Sequence, residues 1–217
     1  MQSLFRSPRQ VVDPFVAGED SPFMHPAWFC LAPAVVVTIL NAFFIDFSPL
    51  AEMPVEQGDD PALGDLLYWL QLVNIRVFTQ FLPLLVATLL VPMLALGTLI
   101  FLRDELDGFY HGLVLFAYGA GAVCTGLLLL LPVWWFSPLP IYETSMYSVL
   151  PAALISFIYL MILRRYLQPD SIMSWIRMIS AYASGYIFYS LIAGFLAGLL
   201  GFFAFWIAEV MAAMQAT

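Results

Sequence analysis

The chain has 217 residues, of which 63% are hydrophobic and 10% charged, and its formal net charge is −8. Soluble domains carry about 25% charged residues, so a chain this poor in charge cannot cover a water-facing surface, and its solvent must be lipid. A net negative balance, with arginine as its only strong cation, also excludes the basic face that nucleic acid demands.

The first 26 residues are polar and proline-containing and carry Arg6 and Arg9, in the manner of a cytosolic segment rather than a cleavable leader. A crossing helix needs roughly 20 mostly apolar residues. Five stretches qualify, and spans are predicted at 27–47, 77–102, 109–133, 146–163 and 180–210. Between the first two, residues 48–76 form an external loop that opens "SPLAEMPVEQGDDP". Asp59 or Asp60 is placed to cap a helix whose first residue is Pro61. Leu63, Leu66, Leu67, Leu70 and Val73 then recur at helical spacing beside Tyr68 and Trp69, which predicts a short helix in the outer interface. The alternative is a second span that simply extends into water. "VWWFSPLPIY", residues 133–142, reads as part of an outer aromatic belt.

Arginine sets the orientation, because cytoplasmic loops are enriched in Lys and Arg. With the N-terminus inside, Arg6, Arg9, Arg103, Arg164, Arg165 and Arg177 fall on the inner side and only Arg76 on the outer. The expected architecture is a single all-α membrane domain of five transmembrane helices, N-terminus cytoplasmic, with one short outer interfacial helix. The compartment this implies is a bacterial inner membrane.

Few residues suggest chemistry. "LRDELDGFYHG", residues 102–112, gathers four charges and a histidine between the second and third spans. Gly108 permits a tight hairpin there and the acids solvate it, while three carboxylates on one turn splay rather than converge on a metal. His111 in this stretch and His25 before the first span are the two candidate cofactor ligands, for a pigment or a haem iron. The alternatives are that the two form an inner-surface pair, or that His111 is structural and hydrogen-bonds a loop carbonyl or carboxylate. Asp46, Arg76 and Glu209 lie near outer span ends and form a candidate outer charge cluster, either an ion-binding vestibule or an interfacial ion pair. The two cysteines, Cys30 and Cys124, sit in separate apolar runs and suggest neither a disulfide nor a metal. No Ser-His-Asp order, HExxH or glycine-rich phosphate loop is present to support catalysis.

Small residues at four-residue spacing are abundant. In the third span they are Ala117, Gly121, Ala122 and Gly126; in the fifth they are Ala193, Gly194, Ala197, Gly198 and Gly201. Such rows let helices approach closely, and the expectation is that they pack the third and fifth spans together or join the protein to a partner. Pro33, Pro83, Pro92, Pro132 and Pro151 lie within or beside spans, where kinks are tolerated if neighbours repair the lost bonds.

"LFRSPRQVVDPFVAGEDSPFMHPAWFCLAPAVVVTIL" and "FLRDELDGFYHGLVLFAYGAGA" resemble the corresponding stretches of small five-span bacterial membrane proteins, the Yip-like families and a related family of unknown function. The resemblance implies five helices with a cytosolic N-terminus more than it implies an activity. Eukaryotic Yip proteins bind small GTPases and shape membrane traffic. From the scarcity of polar machinery in the spans beside an excess of small-residue and aromatic surfaces, the expected function is that of a non-catalytic accessory or scaffold subunit. Its partners would be membrane lipids and other membrane subunits, with no cofactor required. The alternatives are a small transporter or channel component and a pigment- or haem-holding subunit.

Overall fold

The computed structural model describes residues 2–48, 61–136 and 149–215. Regular structure among them is helical throughout. Five helices are long and apolar enough to cross a membrane: Pro26–Phe44, Leu82–Phe101, Phe109–Val133, Val149–Leu167 and Ile172–Met214. The protein is an all-α, multi-pass integral membrane bundle.

The N-terminal segment folds into two short helices, α1 (Gln2–Arg6) and α2 (Pro8–Val16). Pro8 sits in the first turn of α2, where a missing N–H is no loss. Leu4, Val11 and Val12 are buried, so the segment lies on the bundle, α1 against the fourth span and α2 against the third. The first span, α3 (Pro26–Phe44), starts with His25 as its cap and Pro26 at its first position.

The second span is broken. α4 (Pro61–Gln80) stops at Phe81; α5 (Leu82–Leu85), a π-helical segment at Val86–Leu90 and α6 (Val91–Phe101) follow. Two prolines account for this. Pro83 has no N–H for the Thr79 carbonyl, and Pro92 has none for that of Thr88. The backbone widens before Pro92, and the Val91 N–H bonds the Val86 carbonyl five residues back. Neighbouring spans supply the other donors. Asn41 Nδ2 on α3 donates to the Thr79 and Gln80 carbonyls at 3.2 and 3.3 Å. The Cys30 thiol reaches the Ala87 carbonyl at 3.9 Å, and the Cys124 thiol reaches that of Pro83 at 3.8 Å. Lipid offers no donor to a freed carbonyl; Asn41 meets the Thr79 carbonyl that Pro83 leaves free, and the two thiols add weak contacts, the one at Pro83 to a carbonyl that also accepts the Val86 N–H.

α7 (Phe109–Trp135) is the central helix and packs against α3, α6 and α8 (Val149–Leu167). Buried residues make up 61% of its most apolar stretch, against 17% for the last helix, α9 (Ile172–Gln215). With 44 residues, α9 is roughly 66 Å long at about 1.5 Å per residue, twice the roughly 30 Å of hydrocarbon it must cross. Its neighbours are α6 along the first half and α4 along the second. The α6 seam is made by backbone contact: a β-carbon at Gly185 would stand 2.7 Å from the Leu94 α-carbon, and one at Gly97 would overlap the Ala181 carbonyl. The α4 seam has Gly201 against Leu70, where a β-carbon would meet the Leu70 α-carbon at 2.9 Å.

Several expectations change. The short outer helix expected within 48–76 is a 20-residue helix reaching Gln80, and it lies along α9. Leu66, Leu70 and Val73 are half-buried, whereas Leu63 and Leu67 face outward. The fifth span begins at Ile172, not 180, and runs past 210, because nothing in its sequence breaks the helix. The third and fifth spans do not pack together; α6 contacts both, the third-span small residues meet α3 and α8, and Gly201 of the fifth meets α4. The acidic opening of the outer loop after Ser48, the Asp59 or Asp60 cap, the 137–142 part of the aromatic stretch and the 146–148 start of the fourth span lie outside the described residues.

If Asn41 stands in for the N–H that Pro83 lacks, Asn41→Leu should lower stability by about 1–3 kcal/mol, the cost of an orphaned buried acceptor. The same substitution in a Pro83→Ala background, where residue 83 regains a donor, should cost clearly less. Thermal unfolding of the four proteins in one detergent measures this; equal costs in both backgrounds would refute the assignment.

Candidate functional sites

The arginine-bearing end of the bundle holds the most connected polar group. Gly108, at φ 86°, turns the chain into α7 and places His111 in its first turn, buried. The Asp107 N–H donates to His111 Nδ1 at 3.3 Å, so the ring proton belongs on Nε2. That nitrogen lies 2.5 Å from the Tyr166 hydroxyl on α8, which in turn donates to Asp13 Oδ1 on α2 at 2.5 Å. Arg9 completes the group. Its Nε donates to the Tyr166 carbonyl at 2.8 Å, closing a free C-terminal carbonyl of α8, and its guanidinium stands 5.5 Å over the Tyr166 ring. The chain of bonds starts at half-exposed Asp13 and ends at a backbone amide. A second carboxylate, that of Asp107, stands 3.9 Å from His111 Nδ1. The group acts as a clasp that fastens α2 to α7 and α8.

The "RDELDG" turn is more ordered than a merely solvated loop. Arg177 on α9 reaches Asp104 and Glu105, each at 3.7 Å, and ties the turn to the last helix. These groups are well exposed, so the pairs orient more than they stabilise.

The structure uses the two candidate ligand histidines separately. His25 Nδ1 accepts the Ala27 N–H at 3.2 Å and its ring meets Phe15 edge-on at 4.9 Å. Both ring nitrogens of His111 are engaged in the clasp. Among the described residues no group of three or more His, Cys, Asp or Glu could hold a metal ion.

The outer charges are not brought together by ion pairing among the described residues. Asp46 accepts from the Ser48 hydroxyl at 2.6 Å and N–H at 2.9 Å, which lowers its pKa below the usual carboxylate value. Arg76 stacks over Phe47 at 5.6 Å, and Glu209 is exposed on α9.

The small-residue rows divide. Gly121 packs on Phe29 of α3, and Gly126 meets Leu154 and Ile158 of α8. Ala122, Ala193, Ala197 and Gly201 are buried and Ala117 is half-buried. Gly194 and Gly198 behave differently: a β-carbon at either would meet nothing within 4 Å. The expectation that they pack within the chain is therefore corrected. Each residue turns the helix by about 100°, so when the 193–197–201 row faces inward the 194–198 row faces away. Around that row, Leu191, Phe195, Phe202, Phe203 and Trp206 are all more than half exposed. Close seams also form at Gly97, Gly112 and Gly185, against backbone of a neighbouring helix, and at Gly119, against the Tyr159 ring; the rows read from the sequence did not include them. Ala181 and Gly185 are four apart, and that spacing was the available signal.

No family model matches the chain, and neither a curated protein nor a solved structure matches it.

Tyr166→Phe removes the hydroxyl that both His111 and Asp13 use. Expected are a loss of about 1–3 kcal/mol and faster amide exchange in residues 2–16, with exchange in α6 and the first half of α9 unchanged. Hydrogen exchange with mass spectrometry distinguishes this from a general loosening, and unaltered exchange in 2–16 would contradict the clasp.

Proposed function

We propose that the protein is a non-catalytic accessory or scaffold subunit of a bacterial inner-membrane assembly, with its arginine-bearing end in the cytoplasm. The observation that carries this reading is the outer face of α9. Beyond the level of Asn41 and Thr79, α4 has α9 as its main neighbour, and the two helices form an arm. The far half of α9 keeps Phe202, Phe203, Trp206, Ile207, Met211 and Met214 exposed, with Glu209 as its single charge. A helix too long for the bilayer and apolar to its end calls for cover by another protein surface. The open Gly194–Gly198 row gives a neighbouring transmembrane helix a place for close backbone approach. The likeness of the N-terminal stretch to the Yip-like families, five-span proteins whose eukaryotic members act by binding other proteins, accords with this reading.

The test uses the full chain in mild detergent, sized by light scattering after gel filtration. The wild-type protein is expected in an assembly larger than one chain. Gly198→Leu should release it while leaving its melting temperature within the range of conservative surface changes, because a β-carbon there meets nothing within 4 Å among the described residues. Gly201→Leu should instead lower stability, by about 1–3 kcal/mol as overpacking does. A lone wild-type chain, or a Gly198→Leu protein that keeps its assembly, would overturn the proposal.

A further inference from the structure

α8 and α9 follow one another in sequence but diverge in space, since α8 packs on α7 and α9 on α6. Their divergence leaves a crevice of about 1040 Å³ at the arginine-bearing end. Its mouth is lined by Arg6 at the end of α1, Arg164 and Arg165 in the last turn of α8, and the Gln168–Pro169–Asp170 turn. Its walls are Phe157, Leu160 and Met161 of α8 and Trp175, Met178 and Ile179 of α9.

From this juxtaposition of three arginines above an apolar seam, we propose that the crevice binds one anionic phospholipid, its phosphate at Arg6, Arg164 and Arg165 and its acyl chains along the α8–α9 seam.

Three observations converge on that occupant. The cations are uncommitted: among the described residues none of the three has a carboxylate within ion-pair distance, whereas nearby Arg177 is taken by Asp104 and Glu105. Asp170 is the one carboxylate in the lining, against three guanidiniums, in a chain that is otherwise strongly acidic. The level is that of headgroups. Arg164 stacks over Trp175 at 5.5 Å, and tryptophan with arginine is the usual furniture of the membrane interface. Phe157 lies two turns, roughly 10 Å, deeper along α8 than Arg164. It is 65% exposed and Ile179 is 50% exposed, so the wall below the cations is open to acyl chains. At the depth of Phe157 the Tyr182 hydroxyl donates to Ser156 at 2.8 Å and holds the two helices together. A soluble phosphate compound would use the arginines and leave the apolar wall bare; a neutral lipid would do the reverse. Basic pockets between spans on the cytoplasmic side are the setting in which acidic lipid headgroups bind.

The full chain, delipidated in mild detergent, is titrated with phosphatidylglycerol and separately with phosphatidylcholine, and bound lipid is counted by native mass spectrometry. Phosphatidylglycerol should be retained at one site and phosphatidylcholine should not. Arg6→Gln, Arg164→Gln and Arg165→Gln should each weaken retention roughly fivefold, and together abolish it, while Arg103→Gln outside the crevice leaves it unchanged. Arg165 is exposed and without an ion-pair partner among the described residues, so its single variant keeps the test readable if the triple variant folds poorly. Equal retention of the two lipids, wild-type retention by Arg165→Gln, or displacement of the lipid by water-soluble glycerol phosphate would each overturn the proposal.

Discussion

The pairing of α9 with the broken second span organises the rest of the molecule. Gly97 and Gly185 bring α6 and α9 to backbone contact, and Gly201 does the same for α4 and α9. Side chains at these positions would push the helices apart, so the seam depends on their absence. Once α9 is committed to that seam, its Gly194–Gly198 row must face away, and α9 must leave α8 at the turn that joins them. The open face and the arginine-lined crevice are thus two consequences of one packing choice.

The cost of that choice falls on the second span. A helix interrupted at Pro83 and Pro92 frees carbonyls in a medium that offers no donors. Asn41 comes from α3 to meet that of Thr79, and the Cys30 and Cys124 thiols add weaker contacts to the Ala87 and Pro83 carbonyls. The free cysteines therefore read as weak donors in a repaired helix, and Asn41, buried in the bundle, as the strongest single repair. These contacts tie the second span to α3 and α7 along the interrupted stretch from Thr79 to Ala87.

Much of this architecture was legible in the sequence, for a physical reason. Crossing a bilayer demands a run of apolar residues whose length is fixed by the hydrocarbon, so the five spans and their rough limits follow from hydropathy. The limits of α9 did not follow, because interfacial residues such as Trp175 and Met173 are equally acceptable inside or outside a span. The fate of the small residues did not follow either. Spacing identifies a row on a helix, but two adjacent rows about 100° apart look alike, and only the neighbour decides which is buried. The clasp was invisible for another reason: Asp13 and Tyr166 are 153 residues apart, and neither carries a local signature. The place of His111 beside a turn was legible, but its partners, the Asp107 amide and the Tyr166 hydroxyl, were not, since the expected partner was a loop carbonyl or carboxylate.

The central claim is that α4 stands along the outer half of α9 rather than lying separately in the membrane interface. Spin labels on Leu67→Cys and Phe203→Cys, in protein whose native Cys30 and Cys124 are buried, test it by pulsed electron paramagnetic resonance in lipid nanodiscs. Both sites are exposed and belong to opposed turns of the two helices. The account predicts one narrow distance distribution at the short end of the measurable range. A long or broad distribution would contradict it.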